Sequence, residues 1–495
     1  MVGAMRDYVT FILNNEIQQV SGLAGDMTLL AWLRQRRRLT GTKEGCAEGD
    51  CGACTVVIAS ADADGKITWR PVNACILFMG MLEGASITTV EGLSDGAGGL
   101  HPVQQAMVDC HASQCGFCTP GFVMSLFAAW CNGTGLESEN IDDTLAGNLC
   151  RCTGYRPIVD AATALAGMKL PAAEAARRKI EAGLLAQIVH AETVQLTDHK
   201  IRFVAPANAE NFADFYSENP DATIVSGATD VGLWVTKQQR YLPTMLWTGR
   251  VSGFAGIDHK AGLLRIGPAV THQHALADLA ARWPDLGEVM RRFGSLQVRS
   301  SGTMCGNIAN GSPIGDLPPM LIALGTEVEL TAGKTSRRLP LEAFFKDYGV
   351  QDRRNGEFVS ALLIPADAGD NLRCYKISKR FDQDISAVMG AFNVTVEKGV
   401  ITAARIAFGG MAAIPKRAAS LETALVGAPL DVESFRAAAA RLEDDFTPIS
   451  DMRASARYRM QVARNLVLKY GLDLADGKPL RLAGQAGLAL AESWS

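Results

Sequence analysis

The sequence predicts a multidomain α+β chain: a small sheet domain, a four-helix unit, and a larger α+β module ending in an antiparallel sheet. Three observations predict it. The chain has 495 residues, enough for three or four domains. Its patterning changes from strand-like to helical segments at His101, then to a mixture of both from Ile201. Eight of its twelve cysteines fall between Cys46 and Cys152, in two tight constellations. The formal charge of −4 is near balance, so no basic surface points to nucleic acid or anionic lipid. The most apolar run, residues 122–130, is far short of the roughly 18 residues that span a bilayer. The first residues lack the charged and apolar regions of a secretory leader. The chain reads as a soluble cytoplasmic protein with no nucleic-acid or membrane partner.

Residues 8–20 read as a hairpin turning at Asn14-Asn15. An amphipathic helix follows at 27–38, with Leu29, Leu30 and Leu33 on one side and Arg34, Arg36 and Arg37 largely on the other. Next comes Cys46-Ala-Glu-Gly-Asp-Cys51-Gly-Ala-Cys54, with Cys75 after twenty further residues. C-x4-C-x2-C with a distal fourth cysteine is the plant-type spacing for a [2Fe-2S] cluster. Gly45, Gly49, Gly52 and Ala53 leave this loop almost bare, so its N–H groups can approach the sulfides. Strands at 55–59 and 66–70, around a turn at 62–65, complete a β-grasp, ferredoxin-like domain assigned to residues 1–95.

From His101 helices are expected at 102–111, 120–130, 142–149 and 157–168, the first two opened by proline. Cys115-Gly-Phe-Cys118 and, after thirty-one residues, Cys150-Arg-Cys152 sit at junctions between them. Two such pairs can surround a second two-iron cluster, which makes residues 96–168 a four-helix [2Fe-2S] domain. A disulfide framework suits small secreted domains rather than this long chain. Zinc knuckles need C-x2-C pairs closer together than Cys51/Cys54 and Cys115/Cys118. The remaining Cys110, Cys131, Cys305 and Cys374 read as small apolar residues or idle thiols.

Residues 169–200 read as a linker. The α+β pattern over 201–365 and a C-terminal subdomain over 366–480 form one module. In the latter, strands are expected at 374–378, 387–397 and 401–408, and helices at 418–426, 432–442 and 454–470. Clusters carry single electrons and need a partner that handles two, which a flavin does. No G-x-G-x-x-G occurs, so a Rossmann site is not supported. Gly333-Lys334-Thr335 resembles the end of a P-loop, but Val328 stands where glycine is needed, and it reads as a turn between strands. Two small-residue loops remain, at 223–230 and 302–316, whose backbone N–H groups can line a pyrophosphate. No acid–base dyad is evident anywhere in the chain.

Gly45-Cys-Ala-Glu-Gly-Asp-Cys-Gly-Ala-Cys54, Gln114-Cys-Gly-Phe-Cys-Thr-Pro-Gly121 and Gly147-Asn-Leu-Cys-Arg-Cys-Thr-Gly-Tyr-Arg-Pro157 resemble the iron–sulfur signatures of molybdenum hydroxylases. Gly306-Asn-Ile-Ala-Asn-Gly-Ser-Pro-Ile-Gly-Asp316 resembles their FAD loop, and Phe408-Gly-Gly-Met411 a later flavin-domain segment. The order of parts is similar to the xanthine dehydrogenase branch, in the form where iron–sulfur and flavin parts make a small subunit. The resemblance implies that Cys46, Cys51, Cys54 and Cys75 hold the cluster nearer the flavin. It implies that Cys115, Cys118, Cys150 and Cys152 hold the one nearer molybdenum, with Gln114 and Cys152 approaching the partner's pterin. FAD contacts are implied at Thr223, Ile224, Val225, Ser226, Gly227, Ala228, Thr229, Asp230 and Val231. Others are implied at Phe293, Val298, Thr303, Gly306, Asn307, Asn310, Ser312, Asp316, Val359 and Lys376. Tyr348 matches a residue near the nicotinamide nucleotide, and Asp384 lies in a loop bordering the flavin. Two positions depart from the pattern: Ala228 replaces a more familiar Asn, and Cys305 stands where many relatives have Gly.

The implied function is the iron–sulfur/FAD subunit of an enzyme that oxidises xanthine and hypoxanthine to urate. Molybdopterin and substrate would sit in a separate large subunit, in a heterotetramer made of two such pairs, with no catalytic residue in this chain. Electrons would cross two [2Fe-2S] clusters to FAD and then to NAD+. The alternatives are the equivalent subunit of an aldehyde or N-heterocycle hydroxylase, and a non-catalytic ferredoxin-like electron carrier.

Overall fold

The computed structural model describes residues 5–61, 65–94, 99–138, 140–198 and 200–475. The chain forms two compact units. One takes residues up to Ala255 together with Thr271–Gln273 and Gly294–Thr303; the other takes the rest.

In the first unit the N-terminal hairpin forms as the sequence predicts. Strands Tyr8–Leu13 and Glu16–Ser21 pair antiparallel. Asn14 and Asn15 both have positive φ, 50° and 67°, which a two-residue type I′ turn requires. The helix Leu29–Gln35 is shorter than expected because Thr28 caps it, its hydroxyl accepting from the Ala31 N–H. The sheet runs Glu16–Ser21, Tyr8–Leu13, Ser86–Thr88, Thr55–Ala61, Ile67–Asn73. Only its pairing of Tyr8–Leu13 with Ser86–Thr88 is parallel, as in a β-grasp. The turn expected at 62–65 lies largely outside the described residues.

Helices Pro102–Asp109, Thr119–Asn132, Ile141–Leu145 and Arg156–Leu165 surround a core of Phe122, Phe127, Ile158 and Leu165. His101 opens the first with a capping box, its ring accepting from Val103 N while Gln104 reaches back to the His101 N–H. The third stops well before residue 149, which frees Asn148 for a side-chain role.

Residues 169–200 hold a 16-residue helix, Ala172–Gln187. Its carboxylates make it a brace rather than a tether. Glu181, fully buried, accepts from Trp69 Nε1 at 3.1 Å and from Ser86 Oγ at 2.7 Å. Glu174 accepts from Arg177 and Arg178 and lies 3.5 Å from His101 Nε2. Arg178 donates to the Cys131 carbonyl at 3.1 Å and stacks over the Trp69 ring. The helix thus grips both the sheet and the helical bundle. A second five-stranded sheet follows, ordered Met5–Arg6, Thr193–Thr197, Arg202–Ala205, Thr244–Trp247, Thr223–Val225. Its Phe203 meets Phe78 edge-on at 6.3 Å, and a Cβ on Gly80 would come within 2.2 Å of the Phe203 ring. One apolar core therefore runs through both sheets.

In the second unit an antiparallel sheet runs Ile257–Lys260, Leu263–Ile266, Phe358–Pro365, Glu327–Ala332, Thr335–Pro340. Gly333 and Lys334 turn between its last two members, as expected. The stretch 302–316, expected as a small-residue loop, is instead helical over Met304–Asn310. Leu296–Ser301 belongs to the first unit and Met304–Asn310 to the second. Met304, Cys305 and Ile308 are buried at helical spacing, and that burial outweighs the weak propensities of Gly306, Asn307 and Asn310. The C-terminal part is the predicted antiparallel sheet, Arg373–Ile377, Val388–Glu397, Val400–Gly409, Lys416–Arg417. Helices Ala419–Leu425, Val432–Ala439 and Ala456–Ala475 back it over Phe392, Phe408 and Tyr470. Among the described residues no helix is long and apolar enough to cross a membrane.

Candidate functional site

The first thiol set lies between the Thr28-capped helix and strand Thr55–Ala61. Ala47, Gly49 and Gly52 take positive φ, curling the loop around Cys46. The Cys46 sulfur accepts from the N–H groups of Glu48 at 3.4 Å, Asp50 at 3.3 Å and Cys51 at 3.4 Å. Cys54 and Cys75 are buried with their sulfurs 3.3 Å apart. Bonds from the Cys51 and Cys75 thiols hold the Cys46 thiol far below its usual range. In return Cys51 and Cys75 are pushed far up by Cys46, with burial adding to it. Four crowded sulfurs cannot all ionise unless a cationic centre joins them, and iron supplies that charge. Among the described residues no group of three or more His, Cys, Asp or Glu side chains suits a single metal ion. Thiols converging in pairs fit a two-iron centre, in which each iron takes two of the four.

The second set sits on the helical bundle. Burial, then Cys150, pushes the Cys118 thiol up to about 12, and Cys115 pushes Cys152 up. The Cys150 sulfur lies 3.1 Å from Thr153 Oγ1, and the Cys150 N–H donates to the Tyr155 hydroxyl at 2.9 Å. Cys115 and Cys152 are exposed, as are Gln114, Phe117 and Leu149 around them. None of the twelve cysteines forms a disulfide; Cys131, Cys305 and Cys374 are buried and Cys110 is half-buried.

The two loops touch backbone to backbone. Leu149 N–H donates to the Cys51 carbonyl at 3.0 Å, and Asn148 Nδ2 to the Gly52 carbonyl at 3.1 Å. A Cβ on Gly52 would stand 2.2 Å from the Gly147 oxygen, and one on Gly121 would stand 2.3 Å from the Gly52 oxygen. Nothing larger than glycine fits this seam. The cysteine spacing locates the ligand loops, but only the tertiary fold brings Asn148 against Gly52.

The residues expected to contact flavin divide between the two units. In the first, strand Thr223–Val225 leads through Ser226 and Gly227 to Ala228, whose φ is +57°, and on through Thr229 and Asp230 to Val231, which opens a short helix. This turn lies against Gly302 and Thr303: Thr303 Oγ1 donates to Ser226 Oγ at 2.9 Å, and a Cβ on Gly227 would meet the Ser301 oxygen at 2.0 Å. Among the described residues the N–H groups of Gly227, Ala228 and Thr229 donate to no protein acceptor. Successive free amides around a left-handed residue form a concavity that suits a phosphate. Ala228 holds this conformation although Asn, which can hydrogen-bond locally, tolerates it better. Val298, in helix Leu296–Ser301, belongs to the same unit.

Phe293, Gly306, Asn307, Asn310, Ser312, Asp316, Val359, Lys376 and Asp384 lie in the second unit. Asn307 Oδ1 is buried without a protein partner, an acceptor left for a bound group. Lys376 Nζ is buried and donates to Asp316 Oδ2 at 2.6 Å, to the Asp384 carbonyl at 2.8 Å and to Ser386 Oγ at 3.0 Å. Ser386, absent from the expected set, also donates to the other Asp316 oxygen at 2.5 Å. Burial opposes ionisation of Asp384, but the N–H groups of Arg380 and Lys379 outweigh it and hold the carboxyl below its usual range. Val359 faces the core from strand Phe358–Pro365. Tyr348, 72% exposed, stands at the turn between Phe345–Asp347 and Val350–Gln351.

Four domain families match the chain in order. They are a 2Fe-2S iron-sulfur cluster binding domain over residues 11–79 and a [2Fe-2S] binding domain over 89–163. Next come the FAD binding domain in molybdopterin dehydrogenase over 199–367 and the CO dehydrogenase flavoprotein C-terminal domain over 373–474. A xanthine dehydrogenase of Drosophila pseudoobscura pseudoobscura is 32% identical over 463 residues, 82% of this chain and 34% of that protein. One from Emericella nidulans is 29% identical over 499 residues, 89% of this chain and 36% of that protein. The chain spans about a third of the length of these relatives. Among solved structures, quinoline 2-oxidoreductase from Pseudomonas putida 86 is similar at 25% identity and a TM-score of 0.51, over 56% of this chain and 97% of that one. Cu,Mo-CO dehydrogenase, at 23% identity and a TM-score of 0.52 over 55% of this chain and 97% of that one, shares the fold.

Proposed function

The chain belongs to the molybdenum hydroxylases as an iron–sulfur and FAD polypeptide, and on that premise we propose that it is the electron-transfer subunit of a xanthine dehydrogenase. In this reading a large subunit holds molybdopterin and hydroxylates xanthine or hypoxanthine with oxygen from water. Each turnover releases two electrons, which this chain delivers to NAD+, forming NADH. When bound, the clusters carry the electrons singly and the flavin gathers two for transfer as a hydride.

The chain's own residues hold and tune. Cys46, Cys51, Cys54 and Cys75, and Cys115, Cys118, Cys150 and Cys152, grip the two centres. The N–H groups around Cys46 and the hydroxyl of Thr153 set the hydrogen bonding that tunes them. In the first unit the free amides of Gly227 to Thr229 would receive the flavin's pyrophosphate; in the second, taken by itself, the buried Asn307 acceptor would serve a bound group. Tyr348 and Asp384 border the NAD+ site. The exposed rim of Gln114, Cys115, Phe117, Leu149 and Cys152 receives the molybdopterin subunit, and two such pairs make a heterotetramer.

The observation that carries this reading is a pair of four-thiol sites joined backbone to backbone, in a chain whose remaining length matches flavin domains. Xanthine as substrate is supported by the names of the relatives near 30% identity. The likeness to quinoline 2-oxidoreductase favours a second reading, an N-heterocycle hydroxylase. Anaerobic purification with the copurifying polypeptide tests both. The expected preparation holds one flavin and about four irons per chain, is reduced by NADH, and turns over xanthine. Turnover of quinoline but not xanthine would move the assignment to the second reading. A brown protein without flavin would reduce the chain to an electron carrier.

A further inference from the structure

Gln297 is 1% exposed and lies on helix Leu296–Ser301 of the first unit. Its Nε2 lies 3.2 Å from Thr55 Oγ1, 3.1 Å from Ser125 Oγ and 3.1 Å from Asn148 Oδ1. These three residues come from both thiol loops. Thr55 directly follows Cys54, Asn148 precedes Cys150 by two residues, and Ser125 sits in the helix that opens after Cys118.

The orientation of the amide follows from its neighbours. Asn148 Nδ2 donates to the Gly52 carbonyl, so its Oδ1 faces Gln297 and needs a donor. The Thr55 hydroxyl donates to the same Gly52 carbonyl at 2.6 Å, and the Ser125 hydroxyl to Asn148 Oδ1 at 2.6 Å. Both hydroxyls therefore present lone pairs to Gln297. Its NH2 group turns toward all three, which leaves Oε1 buried without a partner, beside Gly147. A Cβ on Gly147 would come within 1.9 Å of that oxygen. A buried acceptor without a donor is destabilising, so stability alone does not account for a glutamine here.

We propose that Gln297 is a positioning residue that fixes both cluster loops through one amide, so that both iron centres respond to it together. It touches no sulfur. It acts through Asn148 and Thr55, which both bond the Gly52 carbonyl between Cys51 and Cys54, and through Ser125 and Asn148 on the Cys150 side. Hydrogen-bond networks in low-dielectric surroundings are stiff and cooperative, and the geometry of ligand loops tunes a cluster's potential. The inference rests on the two-cluster reading, which the unsubstituted protein tests by itself: it must give two distinct paramagnetic signals on reduction. Only the difference between variant and parent tests Gln297.

The experiment takes the full chain, loaded with iron and flavin, and compares Gln297→Glu, Gln297→Leu and Ser125→Ala with the parent. The readouts are the low-temperature paramagnetic spectra and the midpoint potential of each cluster. Gln297→Glu keeps the shape but sets oxygens against acceptors. It is expected to retain iron and flavin while shifting the g-values and potentials of both clusters. Ser125→Ala, which leaves Thr55 and Asn148 bonded, shifts both in the same direction by less. If Gln297→Leu fails to fold, these two variants decide. Unchanged spectra and potentials in Gln297→Glu, or a shift confined to one cluster, would overturn the proposal.

Discussion

Gly52 stands at φ +70° between Cys51 and Ala53, where its carbonyl takes bonds from Asn148 and Thr55. An alanine there meets the left-handed region, at about 1 kcal/mol or more, and drives its Cβ to 2.2 Å from the Gly147 oxygen. Gly52→Ala is therefore expected to lower the denaturant midpoint and to yield chain with less iron, read by chemical unfolding and an iron assay. Lys376 and Asp316 form a buried pair completed by Ser386. Lys376→Met leaves the Asp316 carboxylate buried with one hydroxyl donor, and breaking such a pair costs about 3 kcal/mol. Adding Asp316→Asn should recover much of that loss, which a double-mutant comparison of unfolding free energies measures.

Helix Ala172–Gln187 shows what an element contributes when its charges point inward. Burial raises the proton affinity of Glu174, but bonds from Arg177, His101 and Arg178 outweigh it and hold the carboxyl at about 2, against an ordinary 4.5. A depressed folded value means that stability is present in full above about 4.5 and drains away as pH falls toward 2. The stability difference between parent and Glu174→Gln should therefore shrink below pH 4.5, as followed by denaturation at stepped pH. The sequence conceals this element's role because its partners, Trp69, Ser86, His101 and Cys131, lie far back along the chain. The hairpin at Asn14-Asn15 and the antiparallel C-terminal strands were legible because turn chemistry and alternation are local. Helix Met304–Asn310 was not, since its small residues turn helical only where Met304, Cys305 and Ile308 reach a core. The ligand loops are written in cysteine spacing, whereas Gln297 meets partners 149 to 242 residues away, beyond any local pattern.

At the scale of the molecule, the β-grasp sheet is not free-standing. Phe78 packs against Phe203, Met5–Arg6 pairs with Thr193–Thr197, and Trp69 and Ser86 bond to Glu181. A fragment ending at residue 168 holds all eight cysteines of the two sets but loses each of these partners. It is expected to come out of solution or to lack a cooperative melt by circular dichroism, whereas the full chain melts cooperatively. The same unit treats its two thiol sites unequally, since Cys54 and Cys75 are buried while Cys115 and Cys152 stand open. In air, visible absorbance should therefore bleach in two phases, with the paramagnetic signal of the outer site vanishing first. If the chain works as proposed, the isolated polypeptide would lose its open site while the buried one stays intact, and covering the rim with a docked partner would slow the first phase alone.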